Sequence, residues 1–393
     1  MRLIHTSDWH LGRSLHAEPL LGAQRHFLQW LLRTSLARRA DAVLVAGDIY
    51  DRAVPPVEAV RLLDETLADF AAAGVPILLT SGNHDSAVRL GFAAALSETA
   101  GVHLRTAPSE LARPVVLADE HGPVALYGIP YLLPDAVMES LGVVDRSHAA
   151  VLSAATAAIR ADASARGIDR VVVAAHAFVT GAAVSESERD IRVGGIGDAP
   201  ASVFAGFTYA ALGHLHGAQT VGPSARVRYC GSPLAFSFSE RHHRKSVTQV
   251  DIAANGSIET ELIATPVLRA LREVRGRLEE LLSRAGDDLG DLGDLADAFV
   301  KVTLTDPVRP AAPMERLRAV WPHTLLLEFA PAGAPTDADA HAAADLARLA
   351  ATVDPVEICA SFVEWVDGAP ADAAARRVLR GAVEAAQQVE VGA

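Results

Sequence analysis

Ala42-Val43-Leu44-Val45-Ala46-Gly47-Asp48-Ile49-Tyr50-Asp51 begins with five consecutive apolar residues and turns, through one glycine, into a segment carrying two carboxylates. An apolar run without polar alternation reads as a strand covered on both faces, the arrangement of a parallel sheet layered by helices. Such sheets bind ligands just beyond the carboxyl ends of their strands. Asp48 therefore stands where chemistry is expected.

The same grammar recurs on both sides of this stretch. Strands are expected at 2–5, 77–81, 171–175 and 209–213, and they lead respectively to Asp8-Trp9-His10, Gly82-Asn83-His84-Asp85, His176, and His214-Leu215-His216. A sixth strand is expected at 124–129. Helical spacing of Phe27, Leu28, Leu31, Leu32 and Leu36 predicts a helix over 20–39, and Pro55-Pro56 opens another over 57–73. Alternating strands and helices to about residue 264 define an α/β layered fold.

Near Pro266 the texture changes. Strands at 268–274, 298–304 and 324–329, with helices at 278–284 and 314–320, predict a small, separate α+β unit. The acidic stretch 287–297 lacks the closing glutamate and spacing of a calcium loop and reads as an exposed linker. Ala-rich helices are expected at 338–351 and 371–388, separated by 355–370. They would be either a surface cover of this chain or a docking arm for another protein, and amphipathicity alone does not choose. The expected organisation is thus 1–265, 266–335 and 336–393.

Composition narrows the class. Half of the 393 residues are hydrophobic, which excludes a disordered chain, and two distant cysteines, Cys230 and Cys359, exclude a disulfide framework. No apolar run of membrane-spanning length occurs and the start turns polar at once, so a cytoplasmic protein is expected, with no membrane partner. The formal charge of −13 has the wrong sign for binding a polyanion with the whole surface. Divalent cations at the site, or a basic track on a partner subunit, would change that locally.

The five motifs carry metal-ligand chemistry. Asp8 and His10, like His214 and His216, lie two apart, which puts both side chains on one side of an extended segment. Asp48 can bridge two cations, and Asn83 offers a neutral oxygen. Imidazole with carboxylate and amide oxygen suits Mn²⁺, Fe²⁺ or Zn²⁺, and two such ions suit hydrolysis of a phosphate ester. The remaining histidines, including His5, His148 and His243, read as turn or core residues. Trp9 is expected to pack beneath the site. Arg52 and Arg89 are candidates for steering phosphate. The run Arg241-His242-His243-Arg244-Lys245 reads as a solvated basic loop with DNA backbone as the other option.

Asp-x-His, Gly-Asp-x-x-Asp, Gly-Asn-His-Asp, His and Gly-His-x-His in this order resemble the calcineurin-like metallophosphoesterase superfamily over residues 1–264. The resemblance implies a β-sandwich flanked by helices, with Asp8, His10, Asp48 and His216 on one metal and Asp48, Asn83, His176 and His214 on the other. It also implies that His84 serves the leaving oxygen, with Asp85 orienting His84. The opening Met1-Arg2-Leu3-Ile4-His5-Thr6-Ser7-Asp8-Trp9-His10, the Gly47-Asp48-Ile49-Tyr50-Asp51-Arg52 segment and the strand at 299–306 are similar to the SbcD family of bacterial nuclease subunits. That likeness implies two divalent ions, Mn²⁺ first among them, and double-strand 3′→5′ exonuclease and single-strand endonuclease activity on DNA ends and hairpins. It further implies a coiled-coil SbcC ATPase as partner, a homodimer within a two-plus-two assembly, and a place on the nucleoid. Asp51 departs from archaeal and eukaryotic relatives, which carry histidine there. A small-substrate phosphodiesterase, a protein phosphatase or a non-catalytic scaffold on the same fold stay open at this level.

Overall fold

The computed structural model describes residues 1–180, 182, 187–188, 199–222, 225–283, 295–331 and 354–391. The chain divides into two compact units, Met1–Thr305 with Arg309–Phe329, and Asp306–Val308 with Ala330–Ala393.

The first unit is built on two six-stranded sheets. One runs in the order Ile258–Ala264, Ser246–Ile252, Arg2–Thr6, Ala42–Ala46, Ile77–Thr80, Val102–Arg105. Its last four strands are mutually parallel and its first three are joined antiparallel. The other runs Gln219–Thr220, Val227–Tyr229, Tyr209–Gly213, Val171–His176, Gly122–Ile129, Val115–Asp119, parallel in its centre and antiparallel at both edges. Alternation along each strand sorts the apolar side chains into layers. Leu3, Leu44 and Leu78 meet Leu126, Val172 and Tyr209 between the sheets. Ile4, Val43, Val45 and Leu79 face helices Leu21–Arg38 and Val57–Ala73, while Val173 and Ala175 face helix His148–Arg166. Both helices expected from spacing are present within one residue of their expected ends.

All six strands expected before residue 264 are present. Several others have no counterpart in the expectation, among them Val102–Arg105, Val115–Asp119, Ser246–Ile252 and Ile258–Ala264. The last is an edge strand whose burial alternates between half-buried and exposed, so its Glu259, Thr260 and Glu261 break the apolar pattern. Beyond it, Leu271–Gly276, Phe299–Leu304 and Thr324–Phe329 form a three-stranded sheet, all parallel, crossed over by helices Leu278–Ser283 and Pro313–Val320. Its own core gathers Val274, Leu281, Val302, Leu317 and Trp321. By their contacts these strands are grouped with the two large sheets in the first compact unit.

In the second unit, Pro355–Asp367 and Ala373–Val391 are helices. The separator expected over 355–370 is therefore corrected: Asp354 caps the first helix through its carboxylate to the Val356 N–H (2.9 Å), and Pro355 occupies the first helical position, where a missing N–H does no harm. The expected helix at 338–351 and most of the acidic stretch at 287–297 lie outside the described residues.

Candidate metal centre

The ligand-bearing loops leave the carboxyl ends of parallel strands in both sheets and meet where the sheets approach each other. Gly213 marks the closest approach, since a Cβ there would lie 1.9 Å from the Ala46 carbonyl oxygen. Gly82 has the same role opposite Asp48, whose Oδ1 would lie 2.0 Å from an added Cβ. The loops do not continue the strands. Asp8 (φ 53°), His10 (φ 44°), Asp48 (φ 49°) and His214 (φ 112°) all take positive φ. The expectation that Asp8/His10 and His214/His216 share a side because they are extended is thereby corrected: backbone bonds between loops set their direction, Asp8 N–H to Gly47 O and His10 N–H to Asp48 O, each 3.0 Å. Strained, buried backbone of this kind is what functional sites sustain.

The seven expected ligands converge. His10 Nε2 and His216 Nε2 face each other at 3.3 Å. Asn83 Oδ1 lies 2.9 Å from His176 Nε2 and 3.3 Å from His214 Nδ1. Asp48 Oδ2 stands between these two groups, 3.6 Å from His10 Nε2 and 3.5 Å from His176 Nε2. Asp8 joins from below, accepting from the His214 N–H (3.1 Å) and from the Ser7 hydroxyl. Ligand atoms of Asp8, His10 and His216, of His10, Asp48 and His84, and of Asp8, Asp48 and His176 each lie within 4.8 Å of one another.

These contacts are not hydrogen bonds that satisfy each other. The Nδ1 of His176 lies 2.9 Å from the Ala46 carbonyl, which can only accept, so Nδ1 carries the proton and Nε2 presents a lone pair to the lone pairs of Asn83 Oδ1. Among the described residues, Asn83 Nδ2 and His10 Nδ1 are buried without a hydrogen-bond partner. A cluster of lone pairs aimed at one another in a buried site is the arrangement a cation resolves, and the nitrogen and oxygen donor set fits divalent transition metals. Burial pushes the Asp8 carboxyl up to about 7, against the pull of His176 and with the charge of Asp48 adding to the rise. Burial likewise drives His216 down to about 4 and holds His10 and His214 well below the usual histidine range, so the imidazoles are neutral and ready to ligate.

His84 sits at the edge of the cluster, its ring 4.7 Å from that of His10. Its Nδ1 lies 2.7 Å from the Asp51 carbonyl oxygen, so Nε2 is on the far side of the ring from that anchor. The expected orientation of His84 by Asp85 is corrected by this contact. The Asp85 carboxylate instead accepts from the N–H groups of Ile49 (3.0 Å), Tyr50 (2.8 Å) and Gly82 (2.8 Å), tying the Asp48 loop to the Asn83 loop. Trp9 is fully buried beneath the site, donating to Thr6 Oγ1 and packing edge-on to Phe27.

Other expected residues fall outside the cluster. Arg89 donates to the Ala53 carbonyl (2.9 Å), and Arg52 projects into solvent beside Asp51. The basic run is no uniform solvated loop: Lys245 is buried on Glu240, and Arg241 pairs with Glu273 (3.3 Å). Sequence reasoning missed Arg13, which stacks its guanidinium 4.9 Å over Phe236 and stands 3.6 Å from the Asp51 carboxylate. It also missed Glu240, buried against His216 Nδ1 at 3.3 Å. Neither lies at a ligand-type spacing; the signal for Arg13 was its place three residues after His10.

Two sheets presenting a buried cluster of carboxylates and histidines at their strand ends have the architecture of a metallophosphoesterase. Residues 1–217 match the model of the calcineurin-like phosphoesterase family, and residues 267–365 match a model described as the type 5 capsule protein repressor C-terminal domain. Among curated relatives, the SbcD subunit of the nuclease SbcCD from Escherichia coli (strain K12) is 33% identical over 72% of this chain and 73% of its own length. The protein of the same name from Staphylococcus saprophyticus is 28% identical over 83% of this chain and 84% of its own, and that of Staphylococcus epidermidis 27% over 83% and 85%. The chain belongs to the SbcD family of calcineurin-like phosphoesterases, which are divalent-metal-dependent phosphodiesterases. Among the described residues, no helix is long and apolar enough to cross a membrane.

Proposed function

We propose that this chain is the nuclease subunit of a DNA-end-processing complex, hydrolysing DNA phosphodiesters as a double-strand 3′→5′ exonuclease and single-strand endonuclease. The observation that carries the reading is the Asp48-centred cluster of mutually facing lone pairs. Asp8, His10, Asp48 and His216 would hold one ion and Asp48, Asn83, His176 and His214 the other, with Mn²⁺ as the metal. Bound there, divalent ions supply Lewis acidity at the phosphate and lower the pKa of the attacking water. The side chains supply the rest. Asp48 spaces the two halves of the site, and Asp85 clamps the two loops that carry Asp48 and Asn83. His84, anchored at Nδ1, offers Nε2 to the leaving oxygen. Arg13, held over Phe236, is placed to meet a phosphate oxygen.

The nuclease reading is favoured over a small-substrate phosphodiesterase or a phosphatase by its relatives' names and by the architecture beyond residue 266. Residues 1–265 would form the nuclease domain, 266–335 a cap over DNA, and 336–393 a docking arm for an SbcC-type coiled-coil ATPase. Ile358, Phe362 and Val366 recur at four-residue spacing with exposed side chains on the helix Pro355–Asp367, as a docking helix requires. Exposed Val88, Phe92 and Leu96, on the short turns after the Asn83 loop, support a homodimer within a two-plus-two complex. Such a protein works in the cytoplasm, on the nucleoid. Its net charge of −13 fits a subunit that binds DNA weakly until its partner supplies a basic track.

The test is end-labelled duplex and hairpin DNA incubated with the purified chain, alone and with its ATPase partner, in Mn²⁺. Metal-dependent nucleotide release that is lost in Asp48→Asn is the expected result. Turnover confined to cyclic nucleotides or p-nitrophenyl esters would replace the nuclease reading with the small-substrate one.

A further inference from the structure

We infer that Glu240 is a positioning residue for the metal centre, holding His216 in the one tautomer that turns a lone pair toward a cation, with Lys245 keeping the carboxylate charged inside the protein. The inference rests on the metal-centre reading above and concerns residues outside its ligand set.

The two ring nitrogens of His216 have opposite surroundings. Nε2 faces His10 Nε2 at 3.3 Å, inside the cluster. Nδ1 lies 2.6 Å from the Ser187 hydroxyl and 3.3 Å from Glu240 Oε1, and the Ser187 hydroxyl donates to that same carboxylate oxygen. A carboxylate only accepts, so the polarity runs one way, from Nδ1–H to Ser187 and Glu240, and Nε2 is left unprotonated. Without the carboxylate, the tautomer with a proton on Nε2 would become accessible, and its N–H would point where a ligand must be.

A buried carboxylate is sustained only when paired. The Glu240 side chain is 0% exposed, and its other oxygen receives the Lys245 ammonium, itself 5% exposed, and the Phe236 N–H at 3.4 Å. Lys245 also donates to the His216 carbonyl (3.0 Å) and to Ser232 Oγ (2.8 Å). One lysine thus holds both the backbone of His216 and the carboxylate that acts on its ring. His10, on the opposite side of the same half-site, lacks this support: its Nδ1 stands 3.6 Å from the Asp51 carboxylate, too far for a hydrogen bond. The half-site that holds His216 therefore depends on Glu240 more than its ligand count suggests.

Calorimetric titration of the metal-free full chain with Mn²⁺, together with its thermal unfolding, tests this. Glu240→Leu alone strands the ammonium, so the decisive variant is Glu240→Leu with Lys245→Met, which removes both charges together. Its expected behaviour is a melting temperature restored toward wild type, with one of two Mn²⁺ sites weakened about 10–100-fold and the other unchanged. Glu240→Gln, which keeps an acceptor toward Nδ1, should fall between. Wild-type affinity at both sites in the double variant would overturn the inference while leaving the metal centre standing, as would restored stability accompanied by restored affinity. Wild-type protein that takes up neither ion would overturn the metal-centre reading and this inference with it.

Discussion

At the carboxyl ends of the parallel strands, Asp8, His10, Asp48 and His214 hold positive φ in a buried cluster whose lone pairs face one another. At the amino ends of the same sheets charged groups meet in ion pairs. Arg170 grips Asp119 at 2.7 Å, the terminal amine reaches the same carboxylate at 3.0 Å, Arg2 meets Asp251 at 2.7 Å, and Arg38 meets Glu261 at 2.8 Å. One sandwich thus carries an end closed by ion pairs and an end where candidate metal ligands converge. The rigidity of the layers between them, filled by Leu3, Leu44, Leu78 and Val172, allows both to coexist.

The contrast is sharpest at Asp48. Asp48→Asn keeps an acceptor for the His84 N–H (3.0 Å) and tolerates the left-handed backbone, but removes the carboxylate charge at the centre of the cluster. Hydrolysis should fall on the order of 10⁴-fold or more, while the metal-free protein becomes more stable by about 1 kcal/mol. A variant that loses stability along with activity would show that the cluster is not strained. His84→Gln comes next, with hydrolysis reduced about 10²–10⁴-fold and Mn²⁺ uptake by calorimetry unchanged. Lost metal would make His84 a ligand instead.

Acidification separates the two ends in a different way. In the metal-free protein His216 titrates near 4, His5 near 3, and His10 and His214 well below the ordinary value, all chiefly through burial. Between about 6.5 and 4 the unfolded chain takes up protons that the folded one refuses, so stability rises with pH across that window and is lost on going down. Each such histidine contributes about 1.4 kcal/mol per pH unit. Asp8, raised to about 7, and Asp85, also raised by burial, act in the opposite sense and cancel part of this. Scanning calorimetry should therefore show the melting temperature falling from pH 6.5 to 4, and a flat profile would contradict the buried neutral histidines. The smallest effect belongs to the paired end: Asp119→Ala strands Arg170, whose side chain is 7% exposed, and should cost about 2 kcal/mol with hydrolysis unchanged. Activity falling with Asp119 would mean that the two ends are coupled.

Much of this was legible beforehand, and for a reason. Central strands such as Ala42–Ala46 and Tyr209–Gly213 are buried on both faces, so their sequence is an uninterrupted apolar run, and the residues that follow can only be loops at a sheet end. Edge and hairpin strands such as Ile258–Ala264 were not legible, because a half-exposed strand is constrained on one face only. The helix Pro355–Asp367 was hidden by its own Pro355, which reads as a breaker but starts a helix when an Asp354 cap precedes it. In the site, Asp85 follows His84 directly, and adjacency suggested contact. Its carboxylate turned to three N–H donors in two loops, because satisfying buried backbone donors outweighs a contact with a neighbouring ring.

By itself the sequence determined which residue types would be offered and in what order: seven candidate ligands after apolar strands, a histidine beside the candidate amide ligand, and a net charge of −13. Those are one-dimensional properties, set by the period of burial and the chemistry of each side chain. Only the tertiary structure decided that the ligands meet, which of their nitrogens carry protons, and that Glu240, Lys245 and Arg13 stand behind or beside them. The physical reason is that tautomers, buried charge pairs and close approaches of backbone are fixed by neighbours brought from the other sheet, and no spacing along the chain encodes them.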